Sequence, residues 1–195
     1  MKKIFLALTI ALTMIGSMTE AADITDEQFK KIIQDVGQTK IESHFHMSAY
    51  ELRTQFNWYI VPIIQDDLHR EDISDLLPLF KLDNYEVLDS ENGKIYLGRF
   101  KYKSVALVCL SDAEDADHSK IFSLYYTSPE KKEYAVFISW FLTAFVGSIS
   151  TEIDVKTLMG ELTAENSSGS VVKDGFKFSL AEDGNLNVLS VTLAQ

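Results

Sequence analysis

Residues 134 to 149 carry no charged side chain, and Trp140, Phe141 and Phe145 stand among them. Ser128-Pro129 lies just ahead, a capping serine followed by a proline suited to a first helical position, so the run from Tyr134 to Ile149 is expected to be a helix. It has no polar stripe for water to face, so the rest of the chain must cover it on most of its circumference. The same lack of a polar face argues against a helix lying on a membrane surface. With 195 residues, 46% of them apolar and 11% aromatic, there is material for one domain of ordinary size around it. A single cysteine and three prolines exclude a disulfide framework, a zinc finger and a collagen.

Around this helix the apolar period alternates between that of helices and that of strands. Thr25-Asp-Glu-Gln28 reads as a capping box, and Phe29, Ile32, Ile33 and Val36 follow at helical steps until Gly37. From Thr39 to Met47 the period is two, with Ile41, Ser43, Phe45 and Met47 on one face and Glu42, His44 and His46 on the other, which predicts a half-buried strand. Ser48-Ala-Tyr-Glu51 is a second capping box, followed by the stripe Leu52, Phe56, Tyr59, Ile60, Ile63 and Ile64; Pro62 is expected to kink or end that helix, with a strand over 56–64 as the competing reading. A short leucine-rich helix broken before Pro78 comes next. Then a four-stranded meander is predicted: 85–88, the turn Asn92-Gly93, 95–100, 102–110 and 121–127. After the apolar helix, a short helix over 155–162 precedes a hairpin of 171–172 and 176–180 around Asp174-Gly175, and a last strand over 186–193.

Helices and antiparallel strands thus come in separate runs, which predicts an α+β fold. The expected form is an antiparallel meander sheet curled around the long apolar helix, with helices on one face. On layout alone this resembles helix-grip folds, and such a likeness carries no function with it.

Residues 1 to 21 read as a signal peptide: Lys2 and Lys3, an apolar run from Ile4 to Ile15, then small residues up to Ala21, after which cleavage is expected. About 15 apolar residues fall short of the ~20 needed to span a bilayer, so no stable membrane insertion is expected after cleavage. No cysteine stands near the cleavage site to carry a lipid. The expected product is a single periplasmic or secreted α+β domain over 22–195, with 22–47 as an N-terminal helix and strand and 48–195 as the main body. The formal charge of −11 becomes one unit more negative when Lys2, Lys3 and Glu20 are removed. Such a surface repels nucleic acid and anionic lipid, and it favours a basic protein as partner.

Motifs for chemistry are sparse. Glu42, His44 and His46 fall on one strand face, and His69, flanked by Asp66, Asp67, Glu71 and Asp72, is the nearest source of another ligand; these four are the candidate metal residues. Asp112, Glu114, Asp115 and Asp117 with His118 form an acidic loop, but it has neither the glycine nor the distal glutamate of an EF-hand. Cys109 lies in an apolar strand and reads as a core residue rather than a nucleophile. Arg99, Lys101 and Lys103 share one face while Phe100 and Tyr102 share the other, so cations and aromatics do not interleave as nucleic-acid platforms require. No catalytic motif or phosphate-binding glycine loop is present, and no cofactor is expected.

The function expected from these features is that of an exported, non-enzymatic protein-binding module, for instance a periplasmic immunity or inhibitor protein. The alternative is a carrier of a small apolar ligand held between sheet and helix. A metal-dependent enzyme using the histidines stands last.

Overall fold

The computed structural model describes residues 22–113, 117–129, 134–165 and 167–194. The expected leader, and Glu114 and Asp115 of the acidic loop, lie outside the described residues. In chain order the elements are α1 (Asp26–Gln38), α2 (Ala49–Leu68), α3 (Leu77–Phe80), β1 (Glu86–Ser90), β2 (Gly93–Arg99), β3 (Val105–Ser111), β4 (Ser119–Thr127), α4 (Ala135–Gly147), α5 (Val155–Leu162), β5 (Ser170–Lys173), β6 (Phe176–Asp183) and β7 (Leu186–Leu193).

Both capping boxes form. At α1 the Gln28 N–H donates to the Thr25 hydroxyl (3.2 Å) and the Thr25 N–H to the Gln28 side chain (2.9 Å). At α2 the Glu51 N–H donates to the Ser48 hydroxyl (3.2 Å), while the Ser48 N–H and hydroxyl reach the Glu51 carboxylate (2.8 and 3.0 Å). Those donors hold the Glu51 carboxyl below its ordinary range. A depressed carboxyl contributes stability above its unfolded-state pKa, and that contribution is lost as pH falls through the folded one. Stability measured by urea denaturation is therefore expected to fall faster between pH 5 and pH 3 in the wild type than in Glu51→Gln, whose amide keeps the cap and does not titrate. Parallel curves would overturn this reading.

Two expectations fail at these elements. Pro62 does not end α2, which continues six residues to Leu68. Proline withholds an N–H from the Trp58 carbonyl, but Trp58 and Pro62 both face solvent, where water replaces the missing donor. The segment from Thr39 to Met47 keeps its alternation, with Phe45 buried and Glu42, His44 and His46 exposed, yet it forms no strand. It touches the sheet at the one bridge Phe45↔Ser119. β4 pairs with β3 along one edge and with β7 from Phe122 onward along the other, so only its first residues, 119–121, are left beside this segment, and they hold it at Ser119 alone.

The strands form one seven-stranded antiparallel sheet in the order β1-β2-β3-β4-β7-β6-β5. The first four are the expected meander; β7 then returns to pair with β4 from Phe122↔Val191 to Thr127↔Leu186. The sheet is open, with β1 and β5 at its edges. In the β1–β2 hairpin the turn residues are Glu91 and Asn92, since Gly93 already pairs with Ser90. At the β5–β6 turn Asp174 and Gly175 both adopt positive φ (53° and 78°), as a tight two-residue turn requires.

Helices cover both faces of the sheet, not one as expected. One face presents Tyr96, Leu107, Cys109, Phe122, Leu124 and Leu189 to α2, α4 and α5. The other presents Ile95, Leu97, Ala106, Val108 and Leu110 to Phe29, Ile32 and Val36 of α1. Neighbouring residues of β2 and β3 are therefore buried on opposite sides, which is why those strands are apolar at both parities. The apolar helix α4 has 13 residues, of which Phe137, Ile138, Trp140, Phe141, Leu142, Ala144, Phe145 and Val146 are buried. Its longest partner is the 20-residue α2. The helix begins at Ala135, with Tyr134 in the capping position, so Ser128 is not its cap. The Ser128 hydroxyl instead accepts from the Asn187 side chain (2.8 Å).

Candidate functional site

α2 faces the core with Leu52, Phe56, Ile60 and Ile64. The residues between them form its outer stripe: Glu51, Gln55, Trp58, Pro62 and Asp66 are all exposed. The Trp58 side chain is 67% exposed, the highest value among the large apolar residues in the open. Its ring meets Tyr59 edge-on at 4.9 Å, and Tyr59 in turn lies over Gly147 at the end of α4. The aromatic pair is thus held from beneath while the Trp58 indole stands in water. Trp58 does not belong to the stripe that the apolar period picks out, and that displacement is the signal by which sequence reasoning had access to it.

Eight residues on, about 12 Å along the axis at 1.5 Å per residue, the stripe runs into Asp66 and then Asp67, Glu71, Asp72 and Asp75, all exposed. Arg70 lies on Asp75 (3.2 Å). The Ser74 N–H and hydroxyl hold the Asp72 carboxyl below its ordinary range. Asp67 accepts from the Trp140 Nε1–H (2.9 Å), which ties this acidic end of α2 to α4. The result is an aromatic anchor beside a fixed patch of negative charge.

The four metal candidates do not come together. His69 caps the C-terminus of α2 in the left-handed region (φ 51°). Glu42 lines a cleft of about 620 Å³ with Lys40, Val172, Lys177 and Thr192. His44 and His46 remain neighbours and meet residues of the acidic loop instead: His44 Nδ1 lies 3.4 Å from Asp112, and His46 Nδ1 lies 3.2 Å from His118 Nε2. Lys120 reaches the other oxygen of Asp112 at 2.5 Å. Among the described residues no group of three or more His, Cys, Asp or Glu is placed to hold a metal ion.

The other sequence candidates have quieter surroundings. Arg99, Lys101 and Lys103 each have a carboxylate within 4 Å, on Asp26 and Glu86, on Asp83 and on Asp23 respectively. The Arg99 guanidinium also covers the Phe29 ring at 3.8 Å. Cys109 is fully buried. Burial pushes its thiol up to about 12, with the Tyr85 hydroxyl 3.8 Å away as its polar neighbour.

Phe56, Phe122, Phe141, Phe145 and Phe178, all fully buried, belong to the core between the sheet and the α2–α4 layer. Clefts open around α1 and the segment that follows it. One of about 510 Å³ is lined by Asp23, Thr25, Phe29, Arg99 and Lys103, and one of about 260 Å³ lies between α1 and β6–β7 at Lys31, Asp35, Tyr125 and Glu182. No helix among the described residues is long and apolar enough to cross a membrane. No protein-family model matches this chain, and no significant match to it exists among curated proteins or among solved structures.

Proposed function

We propose that the protein is an exported, non-enzymatic binding module that captures a basic protein on the outer face of α2. The observation that carries this reading is Trp58, two-thirds exposed in the middle of a long helix. Tryptophan is among the residues that most often dominate binding energy at protein interfaces. The adjacent carboxylates Asp66, Asp67, Glu71, Asp72 and Asp75 supply complementary charge for a basic partner and speed the encounter. A periplasmic immunity or inhibitor protein that neutralises a basic toxin is the specific form of this proposal, with cleavage after Ala21 delivering the mature chain.

The test is capture of partners from periplasmic extract on the immobilised mature chain, whose mass should correspond to a start at Ala22. A basic protein retained by the wild type is expected to lose binding at least about tenfold to Trp58→Ala, a loss of roughly 1.4 kcal/mol or more. The melting temperature should be unchanged, because the ring packs little. Retention that is indifferent to Trp58→Ala and to salt would overturn the proposed surface. Finding the chain uncleaved in the cytoplasm would overturn the compartment.

A further inference from the structure

We propose that His46 and His118 form a two-point chelate for a divalent transition-metal ion of the zinc, nickel or copper class, with water completing its coordination. This site is separate from the α2 surface and does not rest on the binding role proposed for it. Its residues come from segments 72 positions apart, and the backbone fixes their meeting. The Phe45 N–H donates to the Ser119 carbonyl (2.7 Å) and the Ser119 N–H to the Met47 carbonyl (3.2 Å). His46 therefore lies between two bonded residues, and His118 immediately precedes the residue that bonds them both.

The platform beneath is rigid. Phe45 packs against Phe122 at 4.5 Å and Phe176 at 5.9 Å. Ser119 is fully buried, its hydroxyl 3.1 Å from that of Ser111. A site needs this kind of support if its ligands are to be placed before the ion arrives.

The separation of the ring nitrogens suits a metal. Ligands about 2.0–2.1 Å from a tetrahedral ion stand roughly 3.3 Å apart, against 3.2 Å between His46 Nδ1 and His118 Nε2. An ion held there takes the lone pair of each ring at this nitrogen, with the ring proton on the other nitrogen. The rings are tilted by 77° with centroids 5.2 Å apart, so neither blocks the other's approach.

The surroundings favour a cation. The Glu51 carboxylate is near enough to act electrostatically on His118. Asp112 sits beside His44, although Lys120 offsets part of its charge. Neutral imidazoles suit zinc, nickel and copper, whereas calcium and magnesium take oxygen ligands. Among the described residues no third protein ligand joins them, and the fold does not depend on the ion.

The test is calorimetric titration of the untagged mature protein with zinc chloride, read together with the ring-nitrogen NMR shifts of its histidines. One ion per chain is expected, moving the ring signals of His46 and His118 and raising the melting temperature with zinc concentration by mass action. His46→Gln and His118→Gln should each weaken zinc at least about tenfold. His69→Gln should leave it unchanged, and a chelator should leave the melting temperature of the zinc-free protein where it was. His46 is exposed and His118 half-buried; a circular dichroism spectrum identical to the wild type is expected for both variants and makes the comparison fair. No zinc uptake by the folded wild type, or equal affinity in all three variants, overturns the proposal.

Discussion

Trp140→Asp unfolds the domain. The Trp140 side chain is 3% exposed, and its ring lies against Phe80 at 5.4 Å and Phe137 at 5.1 Å. Three costs coincide at this position. Removing the indole leaves a cavity between α2, α3 and α4, a loss of roughly 3–5 kcal/mol for large aromatics. The new carboxylate is buried without a partner. Its nearest polar neighbour is Asp67, which loses the Nε1–H donor it had and gains a like charge. Together these match the whole stability of an ordinary domain, about 5–15 kcal/mol. The variant should lack a cooperative thermal transition and lose the near-ultraviolet circular dichroism of its packed aromatic residues. Trp58→Asp is the control, since an exposed substitution costs within about 0.5 kcal/mol. A Trp140→Asp protein melting like the wild type would mean that the α4 face is open to solvent.

What the sequence makes legible is what neighbours decide. The capping boxes at Thr25 and Ser48, the Asp174-Gly175 turn and the helix over 155–162 each depend on a few adjacent residues, and each forms where its residues stand. Features that depend on a distant partner are read less well. The alternation from Thr39 to Met47 is as regular as that of a true strand, but a strand needs a free ladder beside it, and β7 takes this edge of β4 from Phe122 onward. That Pro62 does not end α2 depends on water reaching the Trp58 carbonyl, which the residue types alone do not tell. The placement of α1 on the opposite face was available in principle. Val105-Ala-Leu-Val-Cys-Leu110 is apolar at every position, the mark of a strand covered on both sides. His46 and His118 meet through a register between remote segments that no local spacing encodes, so pairing the histidines by sequence proximity brings in His69 and Glu42 instead.

Gly93→Ala is expected to be the most damaging of the glycine substitutions, because two separate penalties fall on one position. Its φ of +143° is a conformation that L side chains rarely adopt, and a Cβ built there stands 1.9 Å from the Ser111 carbonyl oxygen. That oxygen is backbone at the end of β3, so no side chain can swing aside to relieve the contact. Relief requires β2 to part from β3 at the pair Lys94↔Ser111, which exposes ladder hydrogen bonds and disturbs the buried contact between Ser111 and Ser119. The expected loss is about 3 kcal/mol or more by urea denaturation. Gly175→Ala separates the two penalties: its φ is also positive, at +78°, but nothing lies within 4 Å of the new Cβ, so it should lose only about 1 kcal/mol of backbone strain. Gly160→Ala, inside α5 with open space around it, should gain up to about 1 kcal/mol from helix propensity. The order Gly160→Ala, wild type, Gly175→Ala, Gly93→Ala in denaturation midpoint follows from these geometries. If Gly93→Ala proves no worse than Gly175→Ala, β2 and β3 do not approach so closely at Ser111. In that case the strand end that carries Asp112 to His44 is looser than the packing of Ser111 requires.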